Sequence, residues 1–401
     1  MGGLNSAISF AKTYKYAILS VVSIFVLLDL IVHGSESVIS SSINDIEYDK
    51  YLPSSVNSIT DNINSNYLKK VPKLNYKDKL SIENRLKYFF TYSPGNEIEN
   101  NIFQMWELPT SDKKFPKDTK DLMDSWKNSN SGSVYHFLTI QQAEEKITEV
   151  LKAGVPEVVE ALNLLPANRL KYEFLKYLLI YCFGGCYADI DTKDLTAIRD
   201  WYNPRLVPAR FYTAVMSDPN DYRWDKLYNR RLTFSNSIFV GKAHHPFLAK
   251  LIGTITYVIH AKKHDISKID WEDVNDSVDS NGEPTVFFTG PSMYTDSLFE
   301  YMNSVKNAIH VKVAKSYRNE EPVQLIGPEI PSTQRFSYKQ FSGILAPSQV
   351  DDIVILPQIA FQGALVKNDD YQEYMKFNYA TCNDLTAWSY TPKMGLSGAD
   401  A

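Results

Sequence analysis

Phe183-Gly184-Gly185-Cys186-Tyr187-Ala188-Asp189-Ile190-Asp191-Thr192 is the stretch on which the reading of this chain turns. Upstream of it, Leu170 to Tyr181 (LKYEFLKYLLIY) carries apolar or aromatic residues at 170, 174, 175, 178, 179 and 181, close to the spacing of one helical face. The Gly184-Gly185 pair ends that helix, because glycine accepts the backbone angles that a sharp reversal demands. If Ala188 to Asp191 is then extended, side chains alternate between two faces, and Asp189 and Asp191 project the same way. Two hard carboxylate oxygens on one edge suit Mg2+ or Mn2+, which can hold a diphosphate through its own oxygens. A bare Asp-x-Asp is most often a solvated loop. Set behind a helix, a glycine stop and a strand, it points to chemistry on a nucleotide-sugar.

The 401 residues suffice for one large domain or two smaller ones. A formal charge of -5 argues against a general nucleic-acid binder, so no nucleic-acid partner is expected. The 26 tyrosines and 20 phenylalanines offer flat faces for sugar rings and bases, although most of them serve ordinary packing. Three cysteines (Cys182, Cys186 and Cys382) make no disulfide framework. Cys182 and Cys186 bracket the glycine turn, where buried free thiols are favoured over a disulfide, and the spacing is poor for zinc.

Tyr16 to Val32 is an apolar run charged only at Asp29 and preceded by Lys12 and Lys15. As a helix it would cover about 25 Å, just enough for a thin bilayer. The two lysines favour a cytoplasmic N-terminus and a lumenal body. A cleaved signal peptide is the alternative, with small residues after Val32, but the residues ahead of the run are many for a signal peptide and favour an uncleaved anchor. Gly34 to about Asn75 is rich in Ser and Asn and reads as a stem. Asn275-Asp276-Ser277 is an N-glycosylation sequon, usable in a lumenal body.

In the body, helical patterns fall at Ser81 to Phe90, Lys120 to Asn128, Ile140 to Ala153 and Val155 to Leu164. Asn101 to Trp106 and Val134 to Leu138 read as strands. This alternation implies a mostly parallel α/β sheet with a ligand crevice at the strand ends. Further on, Phe234 to Val240 reads as one strand, the loop His244-His245-Pro246 leads into a helix over Phe247 to His260, and Lys262 to Glu283 reads as an exposed insertion. Val286 to Thr289 precedes Gly290-Pro291-Ser292 and a helix over Met293 to Met302, and Ile353 to Pro357 is a late buried strand. No pattern emerges after Phe377, and Gly395 to Ala401 is expected to be disordered. The resulting division is a cytoplasmic tail (1-15), a transmembrane signal anchor (16-32), a stem with a lead-in helix (33-97), a catalytic domain (98-377) and a C-terminal tail (378-401).

Several stretches together resemble the fungal initiation-type α-1,6-mannosyltransferases of the Golgi, within glycosyltransferase family 32. They are NIFQMW (101-106), NRLKYEFLKYLLIYCFGGCYADIDT (168-192), LYNRRLTFSNSIFVGKAHHPFL (227-248), FFTGPSMYTDSLFEYM (287-302) and DIVILP (352-357). The resemblance implies a GT-A type α/β fold, GDP-mannose as donor, a mannose-containing glycan as acceptor and a divalent cation, usually Mn2+ with Mg2+ as the alternative. It also implies retention of anomeric configuration and a single-pass type II protein held in the Golgi membrane by its N-terminal anchor. On the family pattern Asp189 and Asp191 form the DxD motif, with Asp191 the direct metal ligand and Asp189 reaching the ribose or the sugar. A metal clamp there stabilises negative charge developing on the leaving diphosphate.

The same pattern places Trp106, Glu173, Lys176, Tyr187 and Arg231 at the donor. Relatives commonly carry Asp and Arg where this chain has Glu173 and Lys176; Lys lacks the bidentate guanidinium, and Glu displaces its carboxylate by a methylene. Without the resemblance these two read as an exposed helical charge pair. Trp106 is open between stacking on guanine and core packing, and Arg230 and Arg231 between a diphosphate contact and simple solvation. His244 and His245 read as an exposed turn, with an approach to metal or acceptor as the alternative. Three readings of the whole stay open. One is α-1,6-mannose transfer to an N-glycan core, and another is transfer to inositol phosphoceramide or growing mannan. The third is a non-catalytic subunit in a complex with other mannosyltransferases.

Overall fold

The computed structural model describes residues 82-201, 208-218, 230-268, 288-305, 310-312, 336-362 and 375-382. The expected anchor, the stem, the Asn275 sequon, most of the 262-283 insertion and the 395-401 tail lie outside the described residues. Among the described residues no helix is long and apolar enough to cross a membrane.

The chain enters through helix α1 (Ile82–Phe89) and strand β1 (Asn101–Trp106), then α2 (Lys120–Ser129), β2 (Val134–Thr139), α3 (Ile140–Leu151) and α4 (Pro156–Leu164). Thr139 starts α3 with a reciprocal capping box to Gln142, so strand and helix join with no intervening loop. Helix α5 (Asn168–Phe183) ends at Gly184 with φ 64°, and Gly185, with φ 107°, opens β3 (Gly185–Ala188). The helix, its glycine stop and the strand are where the sequence puts them. Then follow β4 (Thr192–Asp194), β5 (Phe211–Ser217), β6 (Thr233–Phe234), β7 (Ile238–Gly241), α6 (Pro246–Ile266), α7 (Pro291–Ser304) and β8 (His310–Lys312). The remaining elements are α8 (Tyr338–Phe341), β9 (Ser348–Val350), β10 (Ile353–Leu356), α9 (Ile359–Gln362) and β11 (Ala380–Cys382).

Among the described residues, the main sheet has the order β2-β1-β3-β7-β5-β10-β9-β8, with β6 added against β5. It is mixed, and this corrects the mostly parallel sheet expected from sequence. Strands β2, β1 and β3 are parallel, as are β5 and β10, but β7 lies antiparallel between β3 and β5. The expected single strand over Phe234 to Val240 is likewise two short strands, because Ser235-Asn236-Ser237 leaves the ladder to serve the acidic turn described below.

Strand β3 alternates between two cores. Cys186 and Ala188 join Ile102, Val240, Val354, Trp126 and Phe361 on one face. On the other, Tyr187 stacks on Phe239, which meets Tyr177 of α5 and Tyr294 of α7. Helices thus cover both faces, and the parallel strands β1, β3, β5 and β10 bring their carboxyl ends to one edge. The second sheet is small and was not legible in sequence: β11 pairs with β4, Thr192 opposite Cys382. The three cysteines are free, Cys182 and Cys186 buried, and burial pushes both of those thiols up.

Candidate active site

The two aspartates do not lie on a strand. Strand β3 stops at Ala188, and Asp189 to Thr192 is a tight turn closed by Thr192 N–H donating to the Asp189 carbonyl at 3.1 Å. The alternation expected from sequence is therefore replaced by a turn between β3 and β4, at the carboxyl edge of the sheet, where ligand crevices of α/β sheets form. The turn is held from every side. The Asp189 amide donates to the Ser237 carbonyl (2.8 Å), and the Asp189 carbonyl accepts from the Thr192 hydroxyl (2.5 Å) and from Gln104 Nε2 (3.0 Å). Gln104 is fully buried, and its Oε1 accepts from the Tyr135 hydroxyl at 2.6 Å. Trp126 Nε1 donates to the Thr192 carbonyl at 3.1 Å. Between the acids, Ile190 points inward and packs with Trp106, Phe115 and Met123.

Asp189 accepts three hydrogen bonds from side chains and keeps room for a further one. Its Oδ1 accepts from the hydroxyls of Tyr172 (2.9 Å) and Tyr187 (3.1 Å), and its Oδ2 accepts from Lys176 Nζ (3.1 Å). Lys176 also donates to Glu173 Oε1 at 3.0 Å, while Glu173 Oε2 accepts from Asn236 Nδ2 at 2.6 Å. Asn236 in turn reaches the Tyr177 hydroxyl at 2.8 Å. Glu173 and Lys176 are therefore not an exposed charge pair: Lys176 is 2 % exposed and sits beneath the acidic turn. Burial lowers its proton affinity, but Asp189 and Glu173 outweigh that, so its pKa is raised and it stays charged. Burial, and then the charge of Asp189, pushes the Tyr172 phenol well up and keeps it a donor. Burial likewise raises Glu173, with Lys176 pulling the other way.

Trp106 ends β1 beside the turn, 8 % exposed and packed on Ile190. Tyr187 is fully buried, so its part is to hold Asp189. Arg231 lies at the same sheet edge but two strands away, next to the β5–β6 pair. It is ion-paired to Asp218, bonded to Ser342 (3.3 Å) and stacked under Tyr338. Arg230 makes a bidentate pair with Asp296 (2.8 and 2.6 Å). The histidines are at the opposite edge, past Gly241. His245 is fully buried against Asp352 (3.3 Å), whose other oxygen accepts from Tyr92 at 2.5 Å. His244 takes a positive φ of 64° over Tyr181 and Phe90. The expected turn is found at His244, but His245 is buried, and the strand directions carry the pair away from the acids, which corrects the approach to a metal.

Gln104, Tyr172 and Asn236 escaped the sequence reading. A Gln inside an apolar strand, NIFQMW, was the available signal for the first, since a buried amide needs partners. The other two are common residues in unremarkable positions.

A divalent cation fits this arrangement in one way. Asp189 is held by three donors, and the half-buried Asp191 stands beside it at the turn, so the pair offers carboxylate oxygens to a metal. Among the described residues no three His, Cys, Asp or Glu side chains gather around one point.

Residues 116–206 match the family described as a glycosyltransferase sugar-binding region containing a DXD motif, and the match spans the acidic turn. The chain is a glycosyltransferase. It is similar to the initiation-specific alpha-1,6-mannosyltransferase of Candida albicans, 27% identical over 297 residues, covering 72% of this chain and 71% of the relative. It is also similar to the protein of that name in Saccharomyces cerevisiae, 23% identical, covering 75% of this glycosyltransferase and 81% of the relative. The resemblance expected from sequence is thus found. A solved structure, the PaToxG glycosyltransferase, aligns with 55% of this chain and 74% of its own at 14% identity and a TM-score of 0.33, too distant to place residues. The mixed sheet with flanking helices fits a GT-A-like α/β fold. A DXD domain of this kind implies a divalent metal, a sugar donor and a glycan acceptor.

Proposed function

We propose that this glycosyltransferase moves mannose from GDP-mannose, with retention, onto a mannose-containing glycan, forming an α-1,6 linkage to an N-glycan core in the Golgi lumen. The observation that carries the reading is the acidic turn: Asp191 presented at the carboxyl edge of the sheet, with Asp189 locked behind it by Tyr172, Tyr187 and Lys176. The fungal relatives, alpha-1,6-mannosyltransferases by name, suggest the sugar and the linkage.

In this reading Asp191 anchors Mn2+, with Mg2+ as the alternative. When bound, the cation neutralises charge developing on the leaving diphosphate. Asp189 and Glu173 accept hydrogen bonds from donor hydroxyls, and Asn236 fixes the rotamer of Glu173. Because the carboxylates and their donors are bonded to each other before substrate arrives, little reorganisation is needed on binding. Trp106 lies one layer beneath, and with Arg231 already paired to Asp218, charge on the diphosphate is met chiefly at the turn.

The test uses the full-length chain in detergent, with GDP-mannose and a panel of mannose oligosaccharides, in Mn2+ or chelator. Metal-dependent transfer to a core oligosaccharide is expected, with the α-1,6 linkage read by methylation analysis. Transfer to inositol phosphoceramide or extended mannan instead moves the acceptor. Donor binding without turnover, restored only by other mannosyltransferases, leaves the non-catalytic subunit.

A further inference from the structure

Lys176 presents an unusual exposure pattern. Its side chain is 2 % exposed, whereas the carboxylates it bridges, Glu173 and Asp189, are 22 % and 17 % exposed. Solvent therefore reaches the two acid side chains far more than the lysine. The ammonium is enclosed on its other sides as well, 4.9 Å from the Tyr172 ring and 5.5 Å from the Tyr187 ring. The hydroxyls of those same two rings donate to Asp189 Oδ1, so one box of side chains grips both the cation and the carboxylate. Aromatic faces attract a cation most when water is excluded, as it is here.

We propose that Lys176 is an internal counter-cation rather than a donor ligand. It positions Asp189 and Glu173, and these two carboxylates grip the hydroxyls of the donor sugar. Carboxylates only accept hydrogen bonds and sugar hydroxyls supply them, so the exposed groups match the ligand, while the buried ammonium has no open direction toward it. The inference rests on the reading of this chain as a nucleotide-sugar transferase.

The experiment uses the full-length chain with Lys176→Ala, which leaves a cavity shaped for a small alkylammonium ion. Without any donor, propylammonium is expected to raise the unfolding temperature of Lys176→Ala. It should not do so for the unsubstituted chain, and propanol, of the same size and uncharged, should do nothing. With GDP-mannose and Mn2+, kcat/KM for the donor should fall, and propylammonium should restore part of it. A Lys176→Ala protein that ignores propylammonium in both assays overturns the proposal. If Lys176→Ala does not fold, Tyr172→Phe keeps the ring and the ammonium and deletes one bond to Asp189. A several-fold loss of kcat/KM for the donor is then expected, and an unchanged kcat/KM overturns the proposal. If the unsubstituted chain does not turn over GDP-mannose, the functional reading fails, and the donor-free unfolding assay still decides on the counter-cation.

Discussion

Substituting Gly185 with alanine tests how tightly the acidic turn depends on the strand before it. Gly185 has φ 107°, a conformation that costs an L-residue about 1–2 kcal/mol. Its added Cβ would lie 2.3 Å from the Asn101 carbonyl oxygen and 2.8 Å from Asn101 Cβ. Both belong to the neighbouring strand β1, so no flexible side-chain end can swing aside. Relief requires β3 to move away from β1 by roughly an ångström, since carbon and oxygen need more than 3 Å. That loosens the pairing of Ile102 with Cys186 and Phe103 with Tyr187. At about 0.5–1.5 kcal/mol for each of two backbone bonds, the total loss is about 2–5 kcal/mol. Gly132→Ala is the control, because nothing lies within 4 Å of its Cβ. Urea unfolding followed by tryptophan fluorescence measures the difference, and the transfer assay reports the displaced turn. A Gly185→Ala protein within about 1 kcal/mol of the control, with full activity, would refute the reasoning.

Three further outcomes follow from the same geometry. Asp191→Ala should abolish Mn2+-dependent GDP-mannose binding while leaving the unfolding temperature unchanged; calorimetry showing unaltered donor affinity and metal dependence would sink the assignment. Gln104→Leu removes two buried side-chain hydrogen bonds and should cost about 1–3 kcal/mol, with a loss of turnover because the Asp189 carbonyl is released. Burial pushes the Asp194 carboxyl up to about 7 from its usual 3.8, against the hydrogen bond from Asn130. The folded state then binds the proton more tightly than the unfolded one, so this group's contribution to stability is present below pH 4 and is lost as pH rises through about 7. Unfolding free energies of Asp194→Asn and of the unsubstituted chain across that window should diverge in slope, and parallel curves would contradict it.

Local order in this protein was legible in its sequence wherever one element determines itself. Helix α5 and its glycine stop follow from periodicity and from the backbone freedom of Gly184 and Gly185. What depended on distant partners was not legible. The Asp189–Thr192 turn is imposed by Ser237, Gln104 and Trp126, each far away in the chain, and it replaced an alternation that local reasoning favoured. The antiparallel insertion of β7 is a tertiary choice between neighbours, and parallel and antiparallel strands carry the same short apolar runs. Strand β11 has only three residues, ordered because Tyr379 stacks on Trp201 and its carbonyl accepts from Leu195 and Thr196. In the site, the acids were visible as a motif, whereas the burial of Lys176 was not. A lysine three residues from a glutamate looks the same in sequence whether a turn folds over it or not.

The pairing of β4 with β11 sets an order of events during synthesis. Thr192 leaves the ribosome about 190 residues before its partner Cys382, a wait of about ten to forty seconds at ordinary elongation rates. Strand β5 similarly waits for β10, Phe211 for Ile353. Helix α5 and the glycine turn can form at once, yet the strand that carries the chain out of the acidic turn waits for residues 380 to 382 as its strand partner among the described residues. A nascent chain halted before residue 380 would hold both aspartates and still lack a finished catalytic edge, which leaves assembly of the active site as one of the last steps in folding.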